Sequence, residues 1–155
     1  MATIVLLDAG LVGLACVDPV KPATMAFEAW LKGVIGSAVV VRIADVTRYE
    51  VRRELGRLGA TTKLRRLEQF CTRIPTVPVT PEAWDRAGDF WATVRRQGRP
   101  TASPEALDAD AILAGVAATI GGPGDRVVIA TTNVRHLAWF PGVDAREWQA
   151  ISPGD

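Results

Sequence analysis

The chain opens on an apolar run with no polar relief. Residues 3–7 read as a strand, and Ile4-Val5-Leu6-Leu7 stops abruptly on Asp8. Unbroken apolarity predicts burial on both faces, as in a parallel sheet. A short helix is expected over 9–17, checked at Asp18-Pro19. A second is expected over 25–35, capped by Thr24, with Phe27, Trp30, Leu31 and Val34 on one face and Gly36 at its end. Residues 38–43 form the second strand. The next helix, capped by Asp45 or Thr47, repeats Val51, Leu55 and Leu58 at helical spacing and ends at Gly59. Thr61-Thr62 opens a further helix with Leu64, Leu67 and Phe70 inward.

Residues 74–79 have strand composition, but Pro75 and Pro78 restrict them to a sheet edge. Thr80-Pro81-Glu82 is a helix start: cap hydroxyl, proline at the first position, acid in the first turn. That helix carries Trp84, Ala87, Trp91 and Val94 and stops at Gly98, where a polar loop to Pro104 begins. An alanine-rich helix is expected over 108–120, broken by Gly121-Gly122-Pro123-Gly124. Residues 126–131 hold the third clear strand, and 133–140 a turn with a short helical piece. No repeat or linker interrupts the pattern. The expectation is one α/β domain over 1–155, with helices on both faces of a mostly parallel sheet of four to five strands.

Composition narrows the function. A chain of 155 residues supports one substantial core. With a net charge of +1 it is no polycation, so nucleic-acid binding would rest on a local basic surface. Two cysteines, Cys16 and Cys71, are too few for a disulfide framework and fit a reducing compartment. No Lys or Arg precedes the first apolar run, Asp8 interrupts it, and no stretch is long enough to span a membrane. A cytoplasmic protein without membrane association is expected.

Asp8 carries the strongest chemical signal. In parallel α/β sheets, sites form beyond the carboxyl ends of strands. Glu50 follows the second strand, and Asp108 and Asp110 introduce the Ala/Ile/Leu run. Acids distant in sequence that meet at one sheet edge suit a hard divalent cation, because clustered carboxylates otherwise repel and raise one another's pKa. Each acid also has a plainer role. Asp8 caps the following helix, Glu50 pairs with Arg53 three residues on, and Asp108 is an N-cap. Asp108 and Asp110 stand about 200° apart around a helix, so they do not share a face.

Four segments together resemble the PIN-domain nucleases, in particular the VapC-like toxins of type II toxin–antitoxin pairs. They are Val5-Leu6-Leu7-Asp8-Ala9-Gly10, Tyr49-Glu50-Val51-Arg52-Arg53-Glu54-Leu55, Leu107-Asp108-Ala109-Asp110-Ala111-Ile112-Leu113-Ala114 and Ile129-Ala130-Thr131-Thr132-Asn133-Val134-Arg135-His136-Leu137. The resemblance covers nearly the whole chain and implies a PIN-like three-layer α/β/α fold. It implies that Asp8, Glu50 and Asp110, with Asp108, hold Mg²⁺ or Mn²⁺ for hydrolysis of phosphodiester bonds in single-stranded or structured RNA. Asn133 falls at the fourth acidic position, and with Thr131 it orients water or phosphate. Arg48, Arg52, Arg99 and Arg135 are the arginines to position the RNA backbone. A homodimer and a cognate antitoxin are the implied partners.

The alternative is a non-catalytic interaction module on the same scaffold with a degenerate metal site. A receiver-like phosphorelay domain would need a lysine late in the chain, and the last is Lys63. A dehalogenase-type phosphatase would need a second Asp two residues after Asp8, where Gly10 stands. His136, the single histidine, reads as a surface or packing residue. Trp30, Trp84, Trp91, Trp139 and Trp148 read as core or dimer packing in preference to base stacking. The glycines at 121–124 lack the phosphate-loop pattern and read as a turn.

Overall fold

The computed structural model describes residues 1–98 and 103–155. Five strands form one wholly parallel sheet: β1 (Thr3–Leu7), β2 (Val40–Ala44), β3 (Thr76–Val77), β4 (Arg126–Thr131) and β5 (Asp144–Glu147). Their order is β3-β2-β1-β4-β5, so the first strand lies at the centre and the order reverses beside it. The helices are α1 (Ala9–Ala15), α2 (Pro22–Ile35), α3 (Asp45–Arg57), α4 (Thr61–Arg73), α5 (Pro81–Arg96), α6 (Pro104–Thr119) and α7 (Val134–Leu137).

Strand periodicity sorts the core into two layers. Val5 and Leu7 of β1 and Val128 and Ala130 of β4 pack with Leu11, Phe27, Leu31 and Phe70 on one face. Leu6 and Ile129 point the other way, onto Phe90, Val94, Leu113, Ala114 and Phe140. The expected three-layer architecture and buried first strand are both present. Gly59 and Gly98 close their helices with φ of +63° and +62°, where a side chain would be strained. Among the described residues, no helix is long and apolar enough to cross a membrane.

Several local expectations are corrected. Helix α2 begins at Pro22, so Thr24 lies inside it, buried, and does not cap it. Helix α3 begins at Asp45 behind Ala44, leaving Asp45 in the first turn and Thr47 buried. Helix α6 begins at Pro104, with the Ser103 hydroxyl accepting from the Ala106 N–H at 3.1 Å. Asp108 therefore sits within the helix and is no N-cap. On α5 the inward positions are Ala83, Ala87, Phe90 and Val94, while Trp84 and Trp91 are 53% and 38% exposed and are not core residues. Strand β5 lacks any apolar signal. Its charges are matched instead, Asp144 lying 3.1 Å from Arg146 and 3.5 Å from Arg126 of β4.

Helices α5 and α6 cross closely at Gly115. A Cβ there would run into the Ala83 carbonyl oxygen and stand 3.0 Å from the Ala87 nitrogen. Backbone cannot yield as a side chain does, so Gly115→Ala must push the helices apart. Overpacking of this kind costs about 1–3 kcal/mol, more than the helix-propensity gain of up to about 1. Gly33→Ala, whose Cβ would meet nothing within 4 Å, shows that gain alone. Urea unfolding should therefore move in opposite directions for the two variants; equal stabilisation would contradict the close crossing.

Candidate metal centre

The reversal of strand order beside β1 opens a crevice at the carboxyl ends of β1 and β4, the place where open α/β sheets bind ligands. A cavity of about 220 Å³ lies there, lined by Asp8, Gly10, Glu50, Asp110, Leu113, Thr131, Thr132, Asn133 and His136 among others. Asp8 arrives from the end of β1, Glu50 from α3 and Asp110 from the second turn of α6. Three acids spread over a hundred positions thus meet.

Asp8 is held on both sides. Its Oδ1 accepts from the Leu11 N–H at 2.9 Å, capping α1, and its Oδ2 accepts from the Thr131 hydroxyl. The Asp8 N–H donates to the Ala130 carbonyl at 3.1 Å, continuing the β1–β4 ladder. Cap and site roles are therefore one geometry. The backbone N–H groups of Gly10 and Thr132 also favour the charged carboxylate. Burial pushes the Asp8 carboxyl above the usual carboxylate range, outweighing the hydrogen bonds that lower it. Glu50 is also raised, first by burial, then by Asp8, against the pull of Arg53. Asp110 is raised to about 7, first by burial and then by Glu50 and Asp8. All three pairs repel one another, so each acid resists ionising beside the others.

The donor set fits a hard cation. It is all oxygen and negatively charged, and a Cβ on Gly10 would crowd it, standing 3.3 Å from Thr132 Oγ1 and 3.5 Å from Asp8 Oδ1. Among the described residues, no three His, Cys, Asp or Glu side chains stand close enough together to hold a metal ion as they are.

The remaining expected site residues divide. Thr131 is fully buried, its hydroxyl committed between Asp8 and the Asn133 N–H at 2.8 Å. It orients the carboxylate, and it lines the cavity as well. Asn133 reaches the cavity from an exposed position, its Nδ2 3.1 Å from His136 Nδ1. Asp108 does not join the cavity. It is exposed and lines neighbouring grooves with Trp84, Trp91, Tyr49 and Arg53. Among the described residues, no arginine lines the cavity. Arg52 pairs with Glu68 of α4 at 3.4 Å, and Arg48 lies near Cys71 of α4, where burial pushes the thiol up against the opposing pull of Arg48. Arg135 is exposed on α7, and Arg99 lies outside the described residues. The cation electrostatically coupled to Glu50 is Arg53, which sequence reasoning set aside as a plain helix partner. His136, read there as surface or packing, lines the cavity; its placement three residues from Asn133 on a short helix was the signal.

No protein-family model matches the sequence, and no curated protein matches it. Solved structures do match over nearly the full length. A chain of the DNA-bound VapBC from Salmonella typhimurium is 21% identical with a TM-score of 0.70, over 96% of this chain and 99% of that one. A chain of FitAcB from Neisseria gonorrhoeae is 18% identical with a TM-score of 0.68, over 95% and 99%. A chain of VapBC2 from Rickettsia felis, solved with a DNA fragment from the promoter, is 12% identical with a TM-score of 0.67, over 94% and 98%. At such identities the shared property is the fold.

Proposed function

We propose that this chain, built on the fold of the VapBC and FitAcB structures, is a Mg²⁺- or Mn²⁺-dependent endoribonuclease and the toxin of a toxin–antitoxin pair. The observation that carries the reading is the convergence of Asp8, Glu50 and Asp110, from three separate elements, on one crevice at the strand ends. Asp8, Glu50 and Asp110 would hold the cation. When bound, a divalent cation here supplies an acidified water and neutralises charge on the phosphodiester. Leu11 and Thr131 fix the Asp8 carboxylate, so its approach to the cavity is set before any ligand arrives. The Asn133 carboxamide would hydrogen-bond a water or a phosphate oxygen at the rim. Arg53 and Arg135 are the cations to steer the RNA backbone, making binding salt-dependent.

Likeness to VapBC and FitAcB supports a cognate antitoxin as partner. A homodimer draws on the face where Trp84, Trp91 and Tyr49 are exposed. Acids Glu105 and Asp108 share that face with Arg95, so two copies related by a twofold axis can exchange charges across it. Sedimentation of Trp84→Glu should give a monomer where the parent gives a dimer.

The test is cleavage of single-stranded RNA by the purified protein. Activity is expected with Mg²⁺ or Mn²⁺, to vanish with EDTA and to return when metal is restored. Cleavage that ignores EDTA would rule out the metal-dependent reading. A folded protein that binds a partner yet cleaves nothing under any metal would favour the interaction module, for which the neutral Asn133 at the fourth position speaks.

A further inference from the structure

We propose that the His136 ring, backed by Trp139, is a stacking subsite for one unstacked base of the bound strand, next to the phosphodiester over the acids. The inference rests on the ribonuclease reading and adds to it how the strand is gripped.

Three carboxylates, two threonines, a carboxamide and apolar groups make up the rest of the cavity wall; His136 is the aromatic among them. Its ring stacks on Trp139, with centroids 4.9 Å apart and planes 26° from parallel. Its Nδ1 edge meets Asn133 at 3.1 Å. Trp139 packs in turn against the second core, beside Leu137 and Phe140. The Ala138 and Trp139 N–H groups donate to the Val134 and His136 carbonyls at 2.9 and 3.4 Å, which fixes the turn carrying both rings. The imidazole is thus no freely rotating surface group. One face is covered by the indole and one edge is held by Asn133, while the residue lines the cavity.

An aromatic plane of this kind accepts any base, because every base has a π-face. Single-stranded RNA offers bases that can be splayed out and stacked, whereas a duplex does not. Asn133 touches the ring and lines the acid-bearing cavity, so the group that meets phosphate and the group that meets base hold each other in place. A strand seated here has one base on His136 while the adjoining phosphate faces Asp8, Glu50 and Asp110.

The experiment uses the Asp8→Asn protein, which should bind without cutting, and a short single-stranded RNA carrying 2-aminopurine at successive positions. At one position the fluorescence should be quenched on binding. Adding His136→Ala should abolish that quenching and weaken binding about tenfold. His136→Phe should keep both. An RNA abasic at that position should bind the Ala and His forms alike. In the active protein the His136→Ala loss should fall on KM more than on kcat. Equal affinity and unchanged quenching in His136→Ala, with cleavage by the parent protein intact, would overturn the subsite and leave the ribonuclease reading standing. The same holds if His136→Ala weakens only the binding of a partner protein. Failure of the parent protein to bind or cleave RNA under any metal would remove both.

Discussion

Asp8→Asn is expected to abolish metal-dependent RNA cleavage and growth inhibition while the protein still folds. Asparagine keeps one oxygen to accept from the Leu11 N–H, and as an N-cap it is as favourable as aspartate. Its amide NH₂ would face the Thr131 hydroxyl, which can accept as readily as it donates. The helix cap therefore survives and the charge does not. Loss of a mere supporting partner at a metal site costs roughly 10–100-fold; loss of the carboxylate itself should exceed that. Cleavage rate, growth on induction and thermal melting of the variant check the three parts. A folded Asp8→Asn protein that cleaves RNA at the parent rate would end the hydrolytic account.

Without metal, the protein should become less stable as pH rises from about 4 to about 7. In the unfolded chain the Asp110 carboxyl ionises near 3.8; in the fold it ionises near 7. Between those values the folded protein holds a proton that the unfolded chain has released. The stability this contributes is whole below the lower value, is lost as pH climbs to the upper one, and is constant beyond. At about 1.36 kcal/mol per pH unit the ceiling on the loss is ~4 kcal/mol. Asp8 and Glu50, also raised, act in the same direction. Asp125 and Asp155 are lowered by backbone hydrogen bonds, and their opposing effect lies in acid, below the range considered. Asp110→Asn should flatten the melting profile and stabilise the metal-free protein above pH 7. Mg²⁺ at about pH 8 should raise the melting temperature of the parent and leave that of the variant nearly unmoved. A flat profile in the parent would mean that the three carboxylates do not share one cavity.

Much of this was legible in the chain. Continuous apolar runs marked β1 and β4, and Thr80-Pro81-Glu82 marked the start of α5. Ser103-Pro104-Glu105 is the same signature and marks the start of α6, yet in a polar stretch with Gly98 behind it it reads as loop. Strand β5 had no apolar alternation to find, since Asp144-Ala145-Arg146-Glu147 lies at the sheet edge and is matched by charge. The three acids stood out from their places after strands and before the alanine-rich helix. Their supporting shell did not. That Thr131 serves Asp8 follows from β4 running beside β1 with Ala130 opposite Leu7, a tertiary pairing that no local pattern encodes. Helical phase alone also cannot say which of Arg48, Arg52 and Arg53 faces the acids; packing against α4 decides it.

The floor of the crevice is tied into the middle of the sheet through the Asp8–Ala130 backbone hydrogen bond and the Thr131 link. Widening it would mean tearing the two central strands apart. The lip, made of α3, α6 and the turn at α7, has no such constraint. Variants that accept a different nucleotide sequence should therefore carry their changes along that lip, and an engineer seeking new selectivity can randomise its residues other than Glu50 and Asp110 while leaving the base of the pocket alone.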